Sequence, residues 1–300
     1  MSSTSDIVIL ADWGNSSGRL FCVKGTSFTP EILDSKRVVG AKDTSDCAGI
    51  FAEAVQPWVE RYGISEALLS GAVTSNIGWL TTDYALAPAR PANVLRKTLT
   101  DNGLTCTFLS GTSVAEGPLG YFDTVRGEDM QAFGWIALTG LQNGVLCTPG
   151  THTKWLTVKN GAIVDILTGV TGETFEVLNS HSILTRGADQ PSHETSEFNR
   201  GLQVMAETPR PALTQMLMSV RNLQLSGDIT VARSADYLSG LLTGEDCAAA
   251  IDILPKGPIH IIGDGHAVER YKRALLALGQ EIETHDGQAC VIAGLQSLRY

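Results

Sequence analysis

Two stretches of this chain place small hydroxyl residues and glycine directly after an apolar run, next to a charged group. In VILADWGNSSGRLF (residues 8–21), Asp12 closes the apolar run and Gly14, Asn15, Ser16 and Arg19 follow. In GVLCTPGTHTKWL (residues 144–156), the run ends in Gly150, Thr151, His152 and Lys154. Glycine lets a ligand approach the backbone, and N–H groups and hydroxyls can then donate to phosphoryl oxygens. Asp12 suits a hydrated Mg²⁺, a hard ion that keeps waters and uses one or two carboxylates. An Asx-type cap on the Asn15–Ser17 turn is the purely structural alternative; the second copy of the pattern weighs towards function.

Four further stretches carry candidate chemistry. RGED (126–129) sets Glu128 and Asp129 at the mouth of a helix, where a carboxylate can accept the proton of an attacking hydroxyl. Charge complementarity to the helix dipole accounts for such a pair equally well. Arg126 beside them can hold an anion or form a surface ion pair. IIGDG (261–265) puts Gly263 and Asp264 ahead of a helix, so backbone N–H groups there can face a nucleotide. GAVTSNIGW and YALAPARPA (71–79, 84–92) mix Ser75, Asn76, Trp79, Tyr84 and Arg90 in apparent loops. Polar tips and an aromatic face suit a sugar; core anchoring by Trp79 and Tyr84 is the alternative. The chain contains no G-x-G-x-x-G and no G-x-x-x-x-G-K-[ST], which argues against Rossmann and Walker-type sites.

The elements that must position these residues are readable in outline. Ile7–Ala11 is a short apolar run that predicts a buried strand, Arg19–Lys24 a second and Glu31–Val39 a third. Cys47–Gly63 has helical spacing and ends at Gly, a natural stop, with Pro57 inside it. EALLSGAV adds a strand ending at Gly71. Gly144–Leu167 then repeats the opening layout of strand, hydroxyl-rich Gly turn, strand ending in Lys, and third strand, which predicts an internally duplicated β-turn-β-β unit. Asp123–Leu141, between the copies, reads as a loop and then a helix. Helical patterns dominate from Gly172 to Ile251, followed by the strand PIHIIG and the helix HAVERYKRALLALG. The halves divide between Ala137 and Gly144, giving expected domains of 1–140 and 141–300.

The 300 residues suffice for one large domain or two of ordinary size. A composition 43% hydrophobic and 18% charged is that of a folded globular chain. The formal net charge of -10 argues against nucleic-acid and anionic-membrane partners. No apolar run approaches the ~18 residues of a membrane helix. The start MSSTSDIVILADWG has no basic n-region, so the cytoplasm is the expected compartment. The six cysteines are scattered, with no C-x-x-C pair, and read as core residues; the six histidines lack H-E-x-x-H or H-x-H spacing.

Taken together, DWGNSSGRLF, SGAVTSNIGW, DTVRGEDMQAFG, PGTHTKW, TGETFEVLNSHS, YLSGLLTGE and IIGDGHAVERY resemble, in order and over the whole length, the 2-dehydro-3-deoxygalactonokinase family of the sugar kinase/Hsp70/actin superfamily. The resemblance implies an α/β fold: two ribonuclease-H-like, actin-like ATPase domains with an active-site cleft between them. The first domain would carry sugar, first phosphate motif and base, the second would bind ATP. It implies ATP-dependent phosphorylation of 2-dehydro-3-deoxy-D-galactonate on its terminal hydroxyl, in galactonate breakdown. Asp12, Gly14, Asn15, Ser16 and Arg19 fall on the first phosphate motif, Gly150, Thr151, His152 and Lys154 on the second, and Gly263 and Asp264 on the adenosine motif. Glu128 falls near the base position, offset by one residue, so Asp129 stays a candidate. Ser75, Asn76, Trp79, Tyr84 and Arg126 would line the sugar-acid side, with Arg126 or Arg90 meeting its carboxylate. ATP and Mg²⁺, the latter at Asp12, are the implied co-substrate and ion; homo-oligomerisation stays open. A kinase for another keto-deoxy sugar acid or amino sugar, a non-catalytic sugar sensor and a phosphatase of the same superfamily are the competing readings.

Overall fold

The computed structural model describes residues 6–192, 196–207 and 209–299. It is a mixed α/β fold. The strands β1 (Ile7–Trp13), β2 (Ser17–Lys24) and β3 (Glu31–Val39) open the chain as an antiparallel meander. Helix α1 (Cys47–Tyr62) leads to β4 (Glu66–Ser70), which pairs parallel with β1. The side chain of Asp46 accepts from the Gly49 N–H at the start of α1, and Gly63 ends it in the left-handed conformation. Three short strands follow: β5 (Tyr84–Leu86), β6 (Arg96–Asp101) and β7 (Leu104–Leu109). Then come β8 (Gly111–Val114), β9 (Asp123–Val125) and helix α2 (Glu128–Thr139).

The remainder contains β10 (Gly144–Thr148), β11 (Thr153–Lys159) and β12 (Ala162–Gly169). Four helices follow: α3 (Thr171–His181), α4 (Ser196–Ala206), α5 (Leu213–Ser226) and α6 (Ser234–Ile253). The chain then passes through β13 (Ile259–Gly263), α7 (Gly265–Ala277), β14 (Ile282–Asp286) and α8 (Gly287–Gln296). The sheets have the orders β3-β2-β1-β4-β7-β6, β12-β11-β10-β13-β14 and β5-β8-β9.

Two compact units result. The first comprises Met1–Asn143, Val158–Ile166 and Gly287–Tyr300, the second Gly144–Thr157 and Leu167–Asp286. In the first unit, Ile9, Ala11 and Trp13 of β1 pack with Phe51, Val55 and Trp58 of α1. Val8 and Leu10 on the opposite face of the strand are equally buried. A central strand covered on both faces has to read as a continuous apolar run, and this one does so until Asp12. Helices α2 and α8 meet at glycines: a Cβ on Gly134 would lie 1.7 Å from the Cys290 carbonyl oxygen, and one on Gly294 would lie 1.9 Å from that of Met130. The helix backbones touch there, an approach only glycine permits.

In the second unit, Val145, Cys147, Ile259 and Ile261 of the parallel pair β10–β13 form a core with Phe198 and Leu202 of α4 and Val268 and Tyr271 of α7. A satellite cluster joins Met205, Val220, Tyr237 and Leu241 across α4, α5 and α6. All six cysteines are buried free thiols, as their scattering predicts. Among the described residues, no helix is long and apolar enough to cross a membrane.

Candidate active site

In the first unit the chemistry gathers at the carboxyl ends of the parallel strands β1 and β4, the end of an α/β sheet where ligands bind. Asp12 is the penultimate residue of β1 and lies beside Ser70, the last residue of β4. Across the antiparallel pair its partner in register is Arg19. The Arg19 guanidinium donates to Asp12 Oδ2 from Nη2 at 2.7 Å and from Nε at 3.3 Å. Both side chains stay partly open, at 22% and 18% exposure, so the pair faces solvent without being a surface pair.

The Gly14–Ser16 turn is held from behind. Gly14 N–H donates to the Ser17 carbonyl at 3.0 Å, and the Ala41 and Lys42 N–H groups donate to the Gly14 and Asn15 carbonyls at 3.0 and 3.2 Å. Gly40 presses so close that a Cβ there would fall 1.8 Å from the Asn15 carbonyl oxygen. With its carbonyls tied down, the turn leaves Asn15 and Ser16 exposed.

The start of α2 abuts this acid. A Cβ built on Gly127, whose φ is 112°, would lie 3.6 Å from Asp12 Oδ1 and 3.5 Å from the Gly71 Cα. The two acids that follow have different surroundings. Glu128 is half-buried, and its Oε2 accepts from the Arg126 N–H at 3.1 Å. Asp129 is fully buried. Its Oδ1 accepts from the Gly127 and Met130 N–H groups at 2.9 and 3.1 Å, and its Oδ2 from Thr112 Oγ1 at 3.1 Å. Burial pushes the Asp129 carboxyl up to about 7, and the nearby Glu128 charge adds to the rise against the lowering effect of those donors.

The raised value has a testable sign. The unfolded carboxyl ionises near pH 4, while the folded one holds its proton up to about pH 7. Stability is therefore lost progressively as pH rises through that window and levels off above it. In Asp129→Asn the amide oxygen can keep both backbone N–H partners and its NH₂ can donate to Thr112, so the loss should vanish. The variant's melting temperature, relative to the parent, should rise between about pH 5.5 and about pH 8, with a gain of order 2–4 kcal/mol at the upper end. A thermal-melting series in which the difference stays flat across these pH values would show that Asp129 is ionised throughout.

Arg126 works as a clasp within the unit. Its Nη1 donates to the Thr74 carbonyl, Thr74 Oγ1 and Thr82 Oγ1, each at 2.7 Å, and its Nη2 to the Thr82 carbonyl at 3.2 Å. The guanidinium also lies 4.3 Å over the Tyr84 ring. It thereby fixes the 74–84 segment to the entrance of α2. Ser75 Oγ donates to the Ala72 carbonyl at 2.7 Å, and Asn76 is exposed. Trp79 is elsewhere: its ring packs edge-on against Phe108 at 4.9 Å and against Phe51 at 5.6 Å, in the α1 core. Arg90 is exposed, its N–H donating to Asn93 Oδ1 at 3.0 Å.

In the second unit, the turns at Gly150–Lys154 and Gly263–Gly265 follow the carboxyl ends of adjacent parallel strands, β10 and β13. Gly150, Thr151 and His152 are exposed. The Glu173 N–H in the first turn of α3 donates to the Thr151 carbonyl at 2.9 Å, and the Glu173 carboxylate meets His152 Nε2 at 2.5 Å. Lys154 Nζ donates to Thr168 Oγ1 at 2.8 Å. At the other turn, Gly263, Asp264, Gly265 and His266 join Thr284, His285 and Asp286 around a cavity of about 470 Å³.

One residue of this unit escaped the sequence reading. Asp246, on α6, accepts from Trp155 Nε1 at 3.0 Å, from Thr171 Oγ1 at 2.7 Å and from the Tyr271 hydroxyl. Tyr271 in turn shares a 2.5 Å hydrogen bond with Thr153. This carboxylate ties β11, α3 and α7 to α6 directly behind the Gly150–Lys154 turn. Asp246 stands two residues past the wholly buried run Ser234–Gly244, and its partners lie too far off in sequence for any local pattern to mark it.

The profile of the family described as 2-keto-3-deoxy-galactonokinase matches residues 12–298. The 2-dehydro-3-deoxygalactonokinase of Escherichia coli (strain K12) is 27% identical over 293 residues, covering 97% of this chain and 97% of that protein. A crystal structure of a candidate 2-dehydro-3-deoxygalactonokinase from Sinorhizobium meliloti superposes with a TM-score of 0.84 at 25% identity, covering 97% of this chain and 95% of the other. The activator of the 2-hydroxyisocaproyl-CoA dehydratase from Clostridium difficile shares the fold at a TM-score of 0.53 and 12% identity, covering 97% of this chain and 93% of that one.

Proposed function

The chain belongs to the 2-keto-3-deoxy-galactonokinase family, and from that premise we propose how its own residues transfer a phosphoryl group from ATP to the terminal hydroxyl of 2-dehydro-3-deoxygalactonate. The observation that carries the assignment of roles is the meeting of Asp12, its partner Arg19 and the start of α2 at the ends of β1 and β4.

The acceptor falls to the first unit. Glu128 is only half-buried, so its carboxylate can meet an incoming hydroxyl, whereas Asp129 is wholly buried and closed in by Gly127, Met130 and Thr112. Glu128 is therefore the base: it takes the proton of the sugar hydroxyl as that oxygen bonds to the γ-phosphorus and the bond to the leaving ADP oxygen breaks. Asp129 anchors the first turn of α2 and so sets where Glu128 points. Arg126 keeps Ser75, Asn76 and Tyr84 in place as the sugar-facing edge, and exposed Arg90 is the cation offered to the substrate carboxylate. Trp79 supports this edge from the core.

The nucleotide falls to the second unit. Exposed Gly150, Thr151 and His152 with Lys154 would meet phosphate oxygens, and the cavity beside Gly263 and Asp264 would receive the nucleoside. In the first unit, Asn15, Ser16 and Arg19 add donors for the transferring group. Asp12 fits Mg²⁺: Arg19 holds Oδ2, while Oδ1 faces the start of α2, which suits an ion that keeps most of its waters. When bound, Mg²⁺ would neutralise charge developing on the phosphoryl oxygens. The matching arrangement of β3-β2-β1-β4 and β12-β11-β10-β13 supports reading the chain as a duplicated actin-like core, with functional halves that follow the expected 1–140 and 141–300 division except that residues 158–166 and 287–300 go with the first.

The test is ADP release from purified protein with ATP, Mg²⁺ and a panel of 2-dehydro-3-deoxygalactonate, its gluconate epimer and simple hexoses. Turnover that depends on the galactonate derivative, with the product phosphorylated at the terminal carbon, is expected. Equal turnover of the epimer would widen the substrate class, and ATP binding with no turnover on any acceptor would overturn the kinase reading.

A further inference from the structure

The strands β13 and β14 pair in parallel with His260 opposite Glu283 and Ile262 opposite His285. The two-residue period of a strand puts Glu283 and His285 on one face of β14, and the register brings His260 to that face beside them. Ile259 and Ile261, on the alternate face of β13, pack against α7 instead. The three polar atoms converge: His260 Nδ1 lies 3.1 Å from His285 Nε2 and 3.4 Å from Glu283 Oε2, and His285 Nε2 lies 3.8 Å from the same oxygen.

One proton cannot serve all three atoms. With both facing nitrogens protonated, the histidines confront each other N–H to N–H. With one protonated, the rings share a single N–H···N bond and the nearby Glu283 oxygen is left without that proton. A cation at the centre satisfies all three atoms at once. Ligands on a tetrahedral Zn²⁺, with bonds of about 2.0–2.1 Å, stand about 3.3 Å apart, so these three atoms approximate one face of that tetrahedron. Burial lowers the proton affinity of both rings, which leaves them in the neutral form that binds metals. His260 is buried, while the Glu283 side chain is 61% exposed, so an ion can arrive from solvent and the fourth position can hold water.

We propose that His260 Nδ1, His285 Nε2 and Glu283 Oε2 form a binding site for one divalent transition-metal ion of the Zn²⁺ class, separate from the Mg²⁺ assigned to Asp12. Two imidazoles and a carboxylate select Zn²⁺, Co²⁺ or Ni²⁺ over the oxygen-seeking Mg²⁺. The ion cross-links β13 to β14 directly before the Gly263–Gly265 turn, and His285 also lines the cavity at that turn.

Chelator-treated full-length protein titrated with Co²⁺ is the direct test, because four-coordinate Co²⁺ absorbs visible light much more strongly than six-coordinate Co²⁺. One Co²⁺ per chain with intense bands, displaced by Zn²⁺, is expected. Glu283→Gln should weaken binding at least about tenfold, and His285→Gln should abolish the intense bands with the far-ultraviolet circular dichroism unchanged. Zn²⁺ should raise the melting temperature of the parent and leave that of His285→Gln unmoved. No saturable Co²⁺ binding, or binding and melting shifts that survive both substitutions, would overturn the site.

Discussion

Glu128→Gln should lower kcat by about 10²- to 10⁴-fold, with little change in the KM of either substrate. The amide keeps the shape of the side chain and can still accept from the Arg126 N–H through its oxygen, so the start of α2 should stay in place. What disappears is the ability to take a proton in the transition state. An interaction made only there shows in kcat, not in ground-state binding. Steady-state kinetics with the sugar acid and ATP varied separately would separate the two. The matched control is Asp129→Asn, which should keep most of the activity while changing the pH dependence of melting. Loss of kcat in Asp129→Asn with activity retained in Glu128→Gln would move the base by one residue and make Glu128 the anchor.

Asp12→Asn is expected to cost activity on the order of 10³-fold, several kcal/mol of barrier, and to raise the Mg²⁺ concentration needed for half-maximal rate. The substitution leaves a side chain of the same size beside Ser70, and its oxygen can still accept from Arg19, so folding should be preserved. A Mg²⁺ titration of the residual rate distinguishes two roles. If Asp12 holds the ion, its loss shifts the Mg²⁺ dependence and Arg19→Gln does not. If Asp12 serves only to orient Arg19, both variants lose activity equally and the Mg²⁺ curve stays where it was.

The parts of this protein that were legible in the sequence are those where one physical requirement dominates. Ile7–Ala11 had to be apolar throughout because β1 is covered on both faces, and Gly63 had to terminate α1 because the chain turns left-handed there. Asp12 stood out because an acid breaks that apolar run. Other elements gave no such signal. Every residue of β6 is exposed, so RKTLTD carries no alternation. The strands β5, β8 and β9 have three to four residues each, too few for a period. The residues of α8 are almost all buried, so the helix has no polar face to reveal its pitch.

The site shows the same division. Residue types near the turns were readable; partnerships across the chain were not. The composition of the 71–79 stretch left open whether Trp79 meets a ligand or anchors the core; it packs into the core because Phe51 and Phe108, distant in sequence, form its slot. The convergence of Arg126 with Thr74, Thr82 and Tyr84 spans dozens of residues and leaves no local pattern. The ties of Asp246 to Trp155, Thr171 and Tyr271 are equally non-local.

The glycine contact between α2 and α8 bears on how this protein is made. Residues Gly287–Gln296 belong to the first unit although they follow the whole second unit in the sequence. On the ribosome, the helix that presents Glu128 is therefore synthesised long before the surface it packs against. Until α8 emerges, the α2 backbone from Met130 to Gly134 lacks the surface it packs against, the kind of incomplete packing that draws chaperones and misassembly. The first unit is translated early but completed late, because α2 meets α8 only after the whole second unit has been translated.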